Sequence, residues 1–322
     1  MMIPHEKLNR LLYLAFKYQA TDIHMKYDNE KLSVELRTMS GFTDISCDDF
    51  DIDLFNYIQY IANLDLADAN RPQTGTFKYD YLSELIFLRF ALIRSANQLS
   101  GVLRILYQKV IKDKISSFNH QDRLFNNVIK QKSGLIILSG PTGSGKTSTG
   151  YALLKKMRSK RIYTIEDPIE MFLDDIIQIQ VNKRQGLDYE AGIKQLMRHD
   201  PDVIYIGEIR DESEAKMAVR SALTGHLVLT TIHAKDCLGV IQRMKDLDVN
   251  MYDFYQSVIF IVNQRLIPRL YLKERTAIYE TLDHEDIKYV QANKHLPKNF
   301  KDLQYYLQKA KQERLISFKT EI

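Results

Sequence analysis

LIILSGPTGSGKTSTG, residues 135–150, runs from four apolar residues through a glycine-rich turn into YALLKKM (151–157), a helix-compatible continuation. Gly140, Gly145, Lys146 and Thr147 satisfy the pattern G-x-x-x-x-G-K-[ST] in the context that gives it meaning, a strand before and a helix after. Backbone N–H groups of such a turn, with those of the helix N-terminus behind it, converge on phosphate oxygens. Side chains at Gly143 and Gly145 are expected to obstruct that approach. Lys146 is expected to neutralise the β- and γ-phosphates of ATP, and the Thr147 hydroxyl to ligate Mg²⁺. The expected nucleotide-binding residues are Gly140, Pro141, Thr142, Gly143, Ser144, Gly145, Lys146, Thr147 and Ser148.

Around this loop the pattern is that of an α/β domain. From about Ser133, short apolar runs (LIIL, RIYTI, IIQIQV, VIYI, HLVLTT) alternate with helical segments, as buried parallel strands with crossover helices do. The first part of the chain reads differently. Leu8, Leu11, Leu12 and Ala15 form the stripe of an amphipathic helix over 8–18, followed by strand-like alternation at Leu32, Val34 and Leu36 and again at Ile86, Leu88, Phe90 and Leu92. A short helix around DLFNYIQYIANL (53–64) lies between. The polar stretch IKDKISSFNH divides the chain, so the expected organisation is a smaller α+β domain over 1–110, a linker over 111–120 and a parallel-sheet P-loop domain with C-terminal helices over 121–322.

Composition excludes several classes. With 45 basic against 41 acidic residues the net charge is +4, so no global field calls for nucleic acid as a ligand. Cys47 and Cys237 stand far apart, which argues against a disulfide framework or a cysteine-based metal site. The N-terminus lacks a signal-peptide core, and no apolar stretch approaches the ~20 residues that cross a bilayer. A cytoplasmic protein, free or docked on the inner face of a membrane, is expected.

Two acid clusters stand at the ends of apolar runs. In RHDPDVIYIGEIRD (198–211) the expectation is a strand beside the phosphate loop that carries Glu208 to the metal, one methylene longer than the usual Asp and so suited to contact through a metal-bound water or with the attacking water. The competing reading is a solvated acid of the IRDESE run. In TIEDPIE (164–170), Pro168 prevents the preceding strand from continuing, so Glu166 and Asp167 fall at a strand's carboxyl end, where open α/β sheets bind ligands. Turn chemistry at Asp-Pro explains the same placement. His226 and His233 are seven apart and face opposite ways on one strand, so they form no simple metal pair.

GPTGSGKT, TIEDPIE, DPDVIYIGEIRD and TGHLVLTTIHA resemble, in order, the Walker A, Asp box, Walker B and His box of the ATPases that drive type II secretion and type IV pilus assembly. ATDIHMK (20–26), RPQTGTF (71–77) and FLRFALIRSANQLSGVLRIL (87–106) are similar to that family's N-terminal segments, so the likeness covers the chain to about Leu270. The resemblance implies a RecA-like ATPase domain, homo-hexameric rings, Mg-ATP, and arginines of the N-terminal domain, here Arg89 and Arg104, that close over the γ-phosphate. It implies water activation shared by Glu166 and Glu208, in an order the sequence leaves open, Mg²⁺ held by Thr147 and Glu208, and γ-phosphate sensing by His233. It implies partners too: a polytopic membrane platform protein and, indirectly, pilins, with no sequence-specific nucleic-acid contact. SVIFIVNQRLIPRL (257–270) is similar to the assembly-type "I-V-N-Q-R-L", and neither an N-terminal docking domain nor a Cys-rich zinc module is expected. That combination looks most like the competence ATPase of Gram-positive bacteria. A DNA-translocating motor and a non-motor nucleotide-dependent regulator are the alternatives of other classes.

Overall fold

The structure, a computed structural model, describes residues 2–38, 41–45, 49–66, 71–95, 98–106, 114–182, 186–270 and 275–321. Cys47 and positions 111–113 of the expected linker lie outside the described residues. The chain divides into two units, Met1–Lys109 with Pro168–Phe172, and Val110–Asp167 with Leu173–Ile322.

The first unit contains α1 (Pro4–Lys17), β1 (Asp22–Asp28), β2 (Lys31–Thr38), β3 (Gly41–Ile45), α2 (Ile52–Ile61), β4 (Gln73–Tyr81), β5 (Glu84–Arg94) and β6 (Leu99–Leu106). Helix α1 begins before the apolar stripe because Pro4 sits in its first turn and the Glu6 carboxylate accepts from the Ile3 N–H at 3.2 Å. The strands form an antiparallel sheet in the order β3-β2-β1-β6-β5-β4. Ile23, Leu36, Leu88, Phe90 and Leu103 are buried with Leu8, Leu11 and Leu12 of α1 and Leu54, Phe55 and Ile58 of α2 in one core. Each such side chain taken from water contributes roughly 1.5–3 kcal/mol. Because side chains alternate along a strand, the residues between these point to the other face. Asp22 pairs with Arg104, Arg104 with Arg89 and Arg89 with Thr76, a polar row across β1, β6, β5 and β4. The returning segment Pro168–Phe172 belongs to this unit: Phe172 stacks on Phe87 of β5 at 4.4 Å, and Lys78 lies over both rings.

The second unit contains α3 (Asn119–Val128), β7 (Gly134–Ser139), α4 (Lys146–Lys156), β8 (Ile162–Glu166), β9 (Ile177–Gln180), α5 (Tyr189–Leu196), β10 (Val203–Ile209), α6 (Glu212–Leu223), β11 (Leu227–Ile232), α7 (Cys237–Asp246), α8 (Met251–Ser257), β12 (Val258–Pro268), β13 (Arg275–Leu282), α9 (His284–Asn293) and α10 (Leu303–Gln312). Its sheet runs β13-β12-β7-β11-β10-β8-β9, parallel from β12 to β9 with β13 antiparallel at the edge. The apolar runs at β7, β10 and β11 are buried on both faces, as a helix-covered parallel sheet requires.

Three sequence expectations change here. Strand β10 is not the neighbour of β7, because β11 lies between them. IIQIQV forms an edge strand, with Ile177 56% exposed, and its Ile-Gln alternation fits a strand covered on one side only. VIFIV, given no strand in the sequence, is the buried start of β12, inserted beside β7. No helix among the described residues is long and apolar enough to cross a membrane.

Candidate nucleotide site

Parallel pairing brings the ends of β7, β8, β10 and β11 to one edge of the second sheet, so Ser139, Glu166, Ile209 and Ile232 close their strands on the same side. The loop from Gly140 to Gly145 turns there into α4. Gly140, Gly143 and Gly145 have φ of 143°, 77° and 88°, conformations that side chains strain. A Cβ at Gly140 would come within 2.6 Å of the Gln264 carbonyl, and one at Gly145 within 3.2 Å of Leu266, whereas at Gly143 it would meet open space. Glycine at 140 and 145 thus relieves crowding against β12 behind the loop, and at 140 also against Ser144 Oγ at 2.7 Å. Lys146 and Thr147 are the first two residues of α4, at the helix end whose dipole favours an anion. The Lys146 ammonium donates to the carbonyls of Gly140 (2.9 Å) and Pro141 (3.2 Å), which holds the buried cation along the loop. Ser144 is buried with it, while Pro141, Thr142 and Ser148 are exposed.

Glu166, the last residue of β8, is 2% exposed. Its carboxylate accepts from the Tyr151 hydroxyl, from Thr164 Oγ1 (2.6 Å) and from Gln178 Nε2 (3.1 Å). A buried carboxylate of this kind persists because its lone pairs are bonded. Its neighbour on β10 is Gly207, where a Cβ would stand 3.3 Å from the Glu166 Cα.

Glu208 owes its direction to a β-bulge. Ile206 pairs with Thr230 and Ile209 with Ile232, so Gly207 and Glu208 together oppose the single residue Thr231, whose hydroxyl donates to the Gly207 carbonyl at 2.8 Å. The carboxylate, 26% exposed, meets His233 Nε2 at 3.0 Å and Arg210 Nε at 3.4 Å. Arg210 also donates to the Asp167 carbonyl at 3.3 Å, so it spans the two acid clusters. Burial works against the charge of Arg210, but Glu208, Tyr189 and Asp167 outweigh it and raise its pKa. Two acids of the IRDESE run are structural, Asp211 capping α6 and Glu214 closing the capping box, while Glu212 pairs with Lys216 on the surface. His226 lies before the other end of β11, bonded to Ser221 and Thr224, away from this edge.

Arg89 and Arg104 are on the first unit's sheet, directly opposite each other. Like charges so placed repel. Arg104 Nε donates to Asp22 Oδ1 at 2.5 Å; burial pushes the Asp22 pKa up, but the bonds from Arg104 and Thr21 outweigh it and leave it lowered. Burial, then the charge of Arg104, lowers the pKa of Arg89, opposed by Glu170 and Asp22.

A family model described as "Type II/IV secretion system protein" matches residues 3–304. The chain belongs to this family. Competence protein ComGA of Bacillus subtilis is 35% identical over 271 residues, 81% of this chain and 76% of that protein. The type II secretion system ATPase E of Vibrio cholerae is 32% identical over 82% of this chain and 54% of its own length; the chain thus spans about half of that relative. Among solved structures, the Legionella pneumophila ATPase DotB superposes with a TM-score of 0.81 at 17% identity, covering 98% of this chain and 94% of that one. The pilus retraction motor PilT, solved with ADP, follows at 0.72 and 23%, covering 95% and 90%; at these identities the two establish the fold. As a type II/IV secretion system protein with an intact phosphate loop, the chain is a nucleotide-binding ATPase.

Tyr151 and Gln178 touch Glu166, Arg210 touches Glu208, and Asn263 and Gln264 touch Ser139 and Ser144, yet the sequence marks none of the five as a candidate site residue. Tyr151 carried a legible signal, five residues after Lys146 on the helix that faces the sheet. Gln178 and Gln264 carried none that separates them from other glutamines.

Proposed function

We propose that this chain is a ring-forming motor ATPase that spends Mg-ATP on assembling a type IV-like pseudopilus for DNA uptake, acting on the cytoplasmic face of the membrane. The observation that supports hydrolysis is the gathering of the Lys146 loop, Glu166 and the Glu208–His233 pair at one edge of one sheet. The competence assignment rests on the likeness to ComGA over most of both chains.

The donors present fit a divalent cation of the Mg²⁺ type. Thr147 offers a hydroxyl and Glu208 a partly exposed carboxylate, hard oxygen ligands that leave room for phosphate oxygens and water. When bound, the ion supplies charge neutralisation to the phosphates. Thr147 and Glu208 orient that charge, Lys146 and the α4 N-terminus hold the phosphates, and Glu208 positions the attacking water. Glu166, enclosed by three donors, serves as a fixed negative wall. His233 holds Glu208 and senses the γ-phosphate. Arg89 and Arg104 supply the positive charge that favours the transferring phosphoryl and link hydrolysis to domain movement within a homo-hexamer. The work is delivered to a polytopic membrane platform protein, and through it to pilins.

The likeness to type II secretion ATPases favours a second reading, a pilus or secretion motor of another system. The purified chain is expected to hydrolyse ATP only with Mg²⁺ and to assemble into hexamers, K146A to lose hydrolysis, and deletion in the source cell to abolish transformation. Turnover that depends on DNA would favour a DNA-translocating motor, and loss of secretion with transformation intact would favour the second reading.

A further inference from the structure

Asn263 and Gln264 of β12 are two adjacent amides with 0% exposure, in a strand flanked by β7 and β13. Polar side chains inside a sheet cost stability unless bonded, and successive residues of a strand point to opposite faces. Each amide grips a different loop. Asn263 Nδ2 donates to Ser139 Oγ at 2.8 Å and to the Ala234 carbonyl at 3.0 Å, while Arg265 Nη1 donates to Asn263 Oδ1 at 2.8 Å. Ser139 Oγ itself donates to the Val262 carbonyl, so only this amide orientation satisfies every partner. Arg265 continues in the same direction, with Nη2 on the Lys235 carbonyl at 2.9 Å. On the opposite face Gln264 Nε2 donates to the Ser144 carbonyl at 2.7 Å, inside the phosphate loop.

The residues gripped are the immediate neighbours of the chemistry. Ser139 precedes Gly140, Ser144 precedes Gly145, and Ala234 and Lys235 follow His233, whose imidazole meets Glu208. Gln264 Oε1 is buried with no hydrogen-bond partner among the described residues. Such an orphan acceptor lowers stability, so stability does not account for a glutamine here; the bond to Ser144 does.

From this geometry we infer that Asn263, Gln264 and Arg265 are positioning residues of the ATPase, a brace on β12 that fixes the phosphate loop on one side and the His233–Glu208 pair on the other. Gln264 sets the loop for nucleotide binding, and Asn263 with Arg265 holds the segment after His233 so that its imidazole stays on Glu208. The second half rests on the role proposed above for His233.

The test compares binding of a fluorescent ADP analogue, ATP turnover and thermal unfolding across variants of the full chain. Q264M removes the orphan acceptor as well as the grip, so its melting temperature should match or exceed the parent's while nucleotide affinity falls about tenfold. N263A should lower turnover about tenfold with affinity unchanged, and that loss should vanish in an H233A background, since a residue acting through another adds nothing once that other is gone. R265A, a half-exposed position, repeats the turnover measurement if N263A does not fold. Parental affinity in Q264M, or an undiminished turnover loss in N263A/H233A or R265A/H233A, overturns the brace. Parental turnover in H233A alone would instead remove His233 from the reaction and with it the Asn263 half, leaving the Q264M affinity to decide the other.

Discussion

His233 Nε2 and Glu208 Oε1 lie 3.0 Å apart, joining the ends of two adjacent parallel strands. The contact exists because a bulge gives β10 one more residue than β11 at this point, which turns Glu208 toward His233, the residue that follows β11. Replacing the acid by its amide keeps the shape and removes the charge. E208Q is expected to retain nucleotide binding and lose about a hundredfold or more in turnover, the scale of a positioned acid–base group. Stopped-flow binding and steady-state hydrolysis separate the two.

Glu166 makes the contrasting case. With Tyr151, Thr164 and Gln178 all donating to it, Y151F removes one donor from a buried carboxylate and should cost about 1–3 kcal/mol of stability. E166Q should destabilise the second unit as well, because Gln178 and Thr164 would then face an amide N–H₂. Urea unfolding of each variant reads this, and an E166Q protein of parental stability that has lost turnover would shift the water-activating role from Glu208 to Glu166.

The two arginines are expected to separate. R104A strands Asp22, whose side chain is 7% exposed, but Arg104 itself is 48% exposed and solvent screens the pair. The expected loss is about 1–2 kcal/mol, below the 3–5 of a fully buried pair. R89A removes a like charge facing Arg104 and should leave stability unchanged or slightly raised while depressing turnover. Chemical denaturation alongside ATPase rates distinguishes a structural from a mechanistic arginine, and full turnover in R89A would take it out of the mechanism.

A pH dependence follows from Glu280, a buried acid that accepts from the Cys237 N–H at 2.7 Å and the Leu303 N–H at 3.3 Å, the first residues of α7 and α10. Burial is the largest influence and raises its pKa above the ordinary 4.5, despite those two bonds. The folded state therefore holds the proton more tightly than the unfolded chain. The stability this contributes is whole below about pH 4.5 and is lost as pH rises through the folded-state value. The urea midpoint of the parent minus that of E280Q is expected to fall as pH increases across this window; a flat difference would mean that the two N–H bonds offset burial completely.

The glycine-rich turn was legible because residue identities at fixed spacing are demanded by the backbone geometry of one turn, and the strand before it and the helix after it are both present. The polar row on the first sheet was legible in part: alternation at Leu88, Phe90 and Leu92 sends Arg89 to the other face, though nothing local announced that Arg104 would stand opposite it. The order of strands was not, since β11 enters between β7 and β10 through a crossover that no local pattern records. Nor was the redirection of Glu208, which depends on a register shift between two strands. Asp211 and Glu214 stand at the D-x-x-E spacing of a capping box, a signal that is present in the sequence.

The five residues Pro168–Phe172 follow directly on Glu166 and Asp167 yet belong to the first unit, so the chain passes between the units at 109/110, 167/168 and 172/173. Neither half is consequently a linear cassette. A fragment beginning at Val110 would carry Phe172 away from Phe87, and one ending at Lys109 would leave Phe87 uncovered. A hybrid of two related chains joined at a single point between the units would draw the two rings of that stack from different parents.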